Sequence, residues 1–184
     1  MDTKRLIRTA QRRQRGISLI ELMIVVVVTA IVATTAAPRL AAFIDGRRLD
    51  AAAHALAADV QFVRTEAVAR NRPIRLSFHA GAGTTCWVVH TGLAAQCGCS
   101  GAGPAVCTGG ASEIKTVNLG ATDRVVVQAN VGSILFDPLH GTSTPTGTLR
   151  VVDPRGRAVH HIVNVMGRVR SCSPSGAVPG WPAC

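Results

Sequence analysis

Gly16-Ile17-Ser18-Leu19-Ile20-Glu21-Leu22-Met23-Ile24-Val25-Val26-Val27-Val28 is the stretch on which the reading of this chain turns. Residues 17–37 form an apolar run of 21 residues with one charge, Glu21. Wound as a helix at ~1.5 Å per residue, the run spans about 31 Å, one bilayer core. Lys4, Arg5, Arg8, Arg12, Arg13 and Arg15 precede it, against one acid, Asp2. That asymmetry predicts a cytoplasmic amino end and an exported carboxyl end. Three readings compete. A cleaved signal peptide has such a basic and an apolar region, but Glu21 interrupts the latter and Pro38 follows the small residues Thr35-Ala36-Ala37. A plain membrane anchor gives no reason for a carboxylate. The third reading takes Arg15-Gly16, followed by Ile17-Ser18-Leu19-Ile20-Glu21-Leu22-Met23, as a processing site of another kind. An ionised Glu at membrane depth costs about 2.5–3.5 kcal/mol on insertion scales.

Beyond Pro38 the helical pattern resumes. Leu49, Ala53, Leu56, Val60, Val63 and Ala67 recur at spacings of four and three, one continuous face. Arg48, Asp50, His54, Asp59 and Arg64 fall mostly off it. Pro38 predicts a kink, and Arg70-Asn71-Arg72-Pro73 a stop. The pattern therefore predicts one helix over about 17–70, its second half packed under a head. The head reads as β-rich, with short strand candidates at 74–78, 87–89, 114–119, 125–129, 133–136, 148–152, 159–163 and 167–170. Asp137-Pro138, Pro145-Thr146-Gly147 and Asp153-Pro154-Arg155-Gly156 separate several of them. The expected class is α+β, a long helix against an antiparallel sheet or small sandwich.

The 184 residues are 47% hydrophobic and 3% aromatic, with no Tyr and a formal charge of +10. These values exclude an acidic disordered tail, a collagen-like fibre and a multi-span membrane protein. Residues 1–16 alone carry +5, so electrostatic arguments about the remainder have only the other half to work with.

Gly16, the apolar stretch, Glu21 five positions after the Gly and Pro38 twenty-two after it resemble the class III signal of type IV pilins and type II secretion pseudopilins. Ile17 stands where Phe is usual, and the leader of 16 residues is longish. The resemblance implies cleavage after Gly16 by a prepilin peptidase, methylation of Ile17, and pairing of Glu21 with the terminal amine of a neighbouring subunit. Leu56, Val63-Arg64-Thr65-Glu66-Ala67, Arg70 and Pro73-Ile74-Arg75-Leu76 are similar to the signature of the FimT/GspH group of minor pilins and pseudopilins. So is Gly167-Arg168-Val169-Arg170. The resemblance covers residues 16–78 well and 125–172 loosely. It implies a leader (1–16), a transmembrane and filament-core helix (17–38), its amphipathic continuation (39–72) and a β-rich head (73–184). Within the head stand a Cys-rich loop (81–112) and basic carboxyl-terminal strands (150–184). The implied location is the bacterial inner membrane, head in the periplasm, and then the pilus at the cell surface, among other pilin subunits.

Six cysteines stand at 86, 97, 99, 107, 172 and 184. An exported head predicts pairing. Fifteen pairings are open, and Cys172 with Cys184, bracketing a Pro/Gly/Ser-rich tail, is the one expected. Cys86, Cys97, Cys99 and Cys107 would then bridge the loop, Cys97 and Cys99 not to each other. A zinc site from Cys97, Cys99, Cys107 and His79 or His90 lacks the usual paired spacing. His160-His161 on a strand point to opposite faces, which excludes simple co-ligation. No phosphate loop, His-Glu-x-x-His, Gly-x-Ser-x-Gly or acid/base carboxylate pair is present, so neither an enzyme, a cofactor nor a metal is expected.

Residues 150–184 hold five Arg (150, 155, 157, 168, 170) and one acid, Asp153. Arg168 and Arg170 on a strand project from one face ~6–7 Å apart, close to phosphate spacing on one DNA strand. Arg155 and Arg157 extend that patch if the strands fold back as a hairpin. The lack of aromatics argues against base stacking, so sequence-indifferent, salt-dependent duplex binding is expected. In the FimT group the Gly-Arg-x-Arg element, here Gly167, Arg168 and Arg170, is associated with DNA capture in natural transformation. The resemblance also admits a structural or initiating minor pilin, or a GspH-like pseudopilin of type II secretion, without DNA affinity. A membrane-tethered head outside any filament is the last alternative.

Overall fold

The computed structural model of the chain describes residues 18–81, 84–101 and 103–184. The expected leader and Ile17 lie outside them. Helix α1 runs Leu19–Ala69. Ser18 Oγ accepts the Glu21 amide at 3.3 Å, so the hydroxyl caps the helix start with a glutamate three residues on. The helix continues through Pro38, which has no N–H to offer the Thr34 carbonyl. Thr29 and Thr35 hydroxyls donate to the Val25 and Val32 carbonyls at 2.8 and 3.0 Å, which keeps their polar groups satisfied on an apolar helix.

The chain divides into two units, Met1–Ala41 and Ala42–Cys184. In the first, every described residue is exposed, and the helix is long and apolar enough to cross a membrane. The second has its own core. Leu49, Ala53, Leu56, Val60, Val63 and Ala67 are fully buried, the face the periodicity marks out. The helix ends at a left-handed Asn71 (φ 47°), with the Arg72 amide returning to the Ala67 carbonyl at 3.1 Å.

Two antiparallel sheets share that core. The first has the order β5-β2-β1-β7-β8, with β1 Ile74–Ala80, β2 Thr85–His90, β5 Glu113–Leu119, β7 Ser133–Phe136 and β8 Ser143–Thr144. It contributes Ile74, Leu76, Trp87, Val89, Ile134 and Phe136. The second has the order β11-β10-β9-β6, with β6 Val126–Ala129, β9 Gly147–Val152, β10 Ala158–Val163 and β11 Val169–Cys172. It contributes Val127, Leu149, Val151, Val159 and Val163. A two-stranded ribbon, β3 Cys97–Gly98 with β4 Val106–Cys107, completes the head. The architecture is α+β.

Three local expectations change. Asp59 was placed off the buried face but is 2% exposed, because it accepts the Trp87 indole N–H at 2.8 Å and pairs with Lys115. Segment 81–112 is loop only in part: β2, buried at every residue, takes in the strand expected at 87–89, and the long loop follows His90. The last strand begins at Val169 rather than Gly167. Gly167 belongs to the turn, its amide bonded to the Asn164 carbonyl at 2.9 Å.

The cysteines pair as Cys86–Cys99, Cys97–Cys107 and Cys172–Cys184. Cys97 and Cys107 face each other across β3 and β4, and Cys86 fastens that ribbon to β2. Closing loops of this size is worth typically ~2–4 kcal/mol each. These bonds consume the thiolates a zinc site would need.

Candidate functional site

Strands β10 and β11 form a hairpin in which Ile162 faces Arg170 and Val163 faces Val169. Val163 is buried, so Ile162 and Arg170 lie on the outer face of the sheet. The pairing runs on one step: the Asn164 amide donates to the Arg168 carbonyl at 3.1 Å, and Asn164 Oδ1 receives the Arg168 amide at 3.0 Å. Arg168 and Arg170 are both exposed. Among the described residues neither guanidinium has a carboxylate within salt-bridge distance.

Gly167 gives this end of the hairpin its shape. Its φ is 67°, and a Cβ there would stand 2.6 Å from the Gly141 carbonyl oxygen and 3.0 Å from Arg64 Cδ. Only glycine allows the turn after β7 to come this close. Arg64 donates Nε to that Gly141 carbonyl at 3.1 Å, so one arginine of α1 ties the two turns together.

The structure does not bring Arg155 and Arg157 to this place. They lie in the turn that enters β10, whereas Arg168 lies after the turn that leaves it. The six residues of β10 separate the two ends by about 20 Å at ~3.3 Å per residue. Both arginines are also engaged. Arg157 holds the buried Asp153 at 2.7 Å, and Arg155 stands 3.7 Å from the buried Asp45, which Arg124 approaches to 3.1 Å. The hairpin folds back as expected, but with its two turns at opposite ends.

Arg150 was not singled out by sequence, yet it shares the outer face with Arg170. Its β9 neighbours Leu149 and Val151 are fully buried, which turns Arg150 outward. That alternation was the signal available. The register sets it two strands and two residues from Arg170, about 12 Å away. His160 faces Arg150 across the ladder, and burial, then the Arg150 charge, lower its pKa, so it adds no charge at neutral pH.

At the amino end, Gly16 and Ile17 fall outside the described residues. Glu21 is exposed in the first turn of α1, where a carboxylate is favoured by the helix dipole. Pro38 lies within the same helix.

A long apolar amino-terminal helix leading into a head of helix and antiparallel sheets is the fold of type IV pilin-like subunits. The family described as Type II transport protein GspH matches residues 52–167, and the chain belongs to it. A second family, the prokaryotic N-terminal methylation motif, matches residues 11–37. Over 65 residues the chain is 40% identical to the type II secretion system protein H of Xanthomonas campestris pv. campestris. That match covers 35% of this chain and 38% of the length of that relative. No solved structure matches.

Proposed function

We propose that the chain is a minor subunit of a type IV pilus, cut after Gly16 by a prepilin peptidase and methylated on Ile17. It enters the filament through its amino-terminal helix, with Glu21 partnered by the terminal amine of a neighbouring subunit. Before assembly it sits in the inner membrane with its head in the periplasm. Once at the cell surface the head contacts duplex DNA non-specifically for uptake in natural transformation. The observation that carries this reading is the exposed Arg168 and Arg170, two residues apart, with no carboxylate of the described residues in reach. Guanidinium forks suit phosphate oxygens. Arg150 on the same face adds a third contact. The relative from Xanthomonas favours a second reading, a type II secretion pseudopilin without affinity for nucleic acid.

Titration of the detergent-solubilised chain with a labelled duplex at several salt concentrations separates them. Three phosphate contacts predict a log–log slope near −2.7 at roughly −0.9 per contact. Absence of binding at low salt removes the DNA-binding reading and leaves a subunit without affinity for nucleic acid, pseudopilin or structural pilin.

A further inference from the structure

A cavity of ≈ 560 Å³ opens beside the Cys86–Cys99 disulfide, lined by His79, Ala80, Asn118, Leu119 and Asp123 among others. Its size is that of small-ligand sites. The ladder aligns three of its residues: His79 faces Cys86 across β1 and β2, and Cys86 faces Asn118 across β2 and β5. Directly opposed residues share a sheet face, so His79 and Asn118 flank the disulfide on one surface.

Among the described residues, two polar atoms there have no partner. His79 Nε2 and Asn118 Oδ1 are buried, and neither makes a hydrogen bond to a described residue. The Asn118 amide is oriented by its own Nδ2, which donates to the Gly103 carbonyl at 2.9 Å, so Oδ1 is the atom left over. Elsewhere on the same face the polar groups are matched: Ser77 Oγ and His90 Nε2 meet at 2.8 Å, and Thr116 Oγ1 receives the Ala105 amide at 3.1 Å. A buried acceptor without a donor is a standing cost that a bound group would remove.

The lining narrows what that group is. Asp123, whose Oδ2 accepts the Gly120 amide at 2.7 Å, repels an anion. Arg48, donating to the Thr122 carbonyl at the rim at 2.9 Å, repels a cation. No Phe, Tyr or Trp lines the cavity among the described residues, so flat rings and sugars find no broad stacking face. An amide carries what remains, a donor for Asn118 and an acceptor for His79. His79 and Asn118 stand two strands apart, about 9–10 Å between Cα atoms, and an extended peptide repeats donors and acceptors along one edge over such distances.

We propose that this cavity binds a short, uncharged, extended segment of a partner polypeptide. An amide N–H of that segment donates to Asn118 Oδ1, and a carbonyl accepts from His79 Nε2. The disulfide and the Gly103 contact hold the site in place beforehand, which limits the entropy lost on binding.

The test uses the full chain in detergent micelles and acetyl-trialanine N-methylamide as probe, read by NMR of the His79 ring and the Asn118 side-chain amide. Saturable shifts of both signals are expected. An ester analogue that lacks the central N–H binds about fivefold more weakly, and Asn118→Leu loses a similar factor. Trp87 emission reports whether the variant is folded. The ester probe on the unaltered chain needs no variant and decides alone if Asn118→Leu does not fold. No saturable shift up to the solubility limit of the probe overturns the proposal. So does equal affinity for ester and amide, which would mean that the central N–H makes no bond to Asn118 Oδ1.

Discussion

The indole Nε1 of Trp87 donates to Asp59 Oδ2 at 2.8 Å, joining the middle of β2 to α1 inside the core. Trp87 is fully buried and Asp59 nearly so, and Lys115 covers the carboxylate from β5. Asp59→Ala leaves the indole N–H without an acceptor and is expected to cost about 2–3 kcal/mol. Asp59→Asn keeps an acceptor and loses only the ion pair with the half-exposed Lys115, so about 1 kcal/mol is expected. Urea denaturation of the two variants reads the difference. Equal losses would show that the charge, not the hydrogen bond, matters.

Glycines 156 and 167 both have positive φ, 79° and 67°, but only one is crowded. Among the described residues nothing lies within 4 Å of a Cβ at Gly156, so Gly156→Ala meets backbone strain alone, about 1 kcal/mol. Gly167→Ala adds a clash with the Gly141 carbonyl and is expected to cost about 3 kcal/mol. Thermal melts of the two variants side by side check the ranking.

Charge removal at the two ends of β10 separates available from engaged arginines. Arg168→Gln with Arg170→Gln is expected to lower the magnitude of the salt slope of duplex binding by about 1.8. Arg155→Gln is expected to leave that slope unchanged and to weaken the head by up to about 1 kcal/mol through loss of its contact with Asp45. A slope that falls equally for both ends would remove the proposed patch.

His161 is fully buried, with Nδ1 2.8 Å from Ser171 Oγ and its ring against the edge of Trp181. Burial, the largest cause, lowers its pKa to about 4 from 6.5. The unfolded chain therefore takes up a proton first as pH falls. Stability is held above pH 6.5, declines by up to about 1.4 kcal/mol per pH unit towards pH 4, and levels below. His90, whose pKa burial also lowers, acts in the same direction. His161→Gln is expected to flatten the pH dependence of the urea midpoint, and an unchanged profile would remove His161 as its source.

The proposed pairing of Glu21 is separable from its place at the helix start. As third residue of the helix it faces the favourable end of the dipole, and as a lone carboxylate in an apolar run it suits a cationic partner. Glu21→Gln keeps the local helix start and removes the charge. Loss of the variant from sheared filaments, with normal amounts in the membrane fraction, is the expected outcome. Undiminished incorporation would show that pairing is not its role.

Periodicity was sufficient for α1 and for its buried face, because that face is one repeated spacing from Leu49 to Ala67. Short apolar runs between turn signals were sufficient for most of the longer strands, and Leu76, Trp87, Leu149 and Val159 each stand on the core side of their own strand. What sequence did not disclose was long-range. Asp59 reads as a surface acid until Trp87 and Lys115 are brought to it by strands far along the chain. Arg155 and Arg157 read as part of one basic patch until the register of β9, β10 and β11 sets the two turns apart. The row of His79, Cys86 and Asn118 exists only across three paired strands, so no local spacing announces it.

The ribbon after β2 has almost nothing apolar to hold it down: Leu93 and Val106 are 67% and 61% exposed. Its surface is therefore shaped by sulfur chemistry rather than by burial, while the helix and the two sheets rest on packing. Synthesis in a reducing cytosol is accordingly expected to give a folded body with an untidy flank. The wall that borders the His79 cavity then acquires its outline only once electrons have been withdrawn from Cys86 and Cys99.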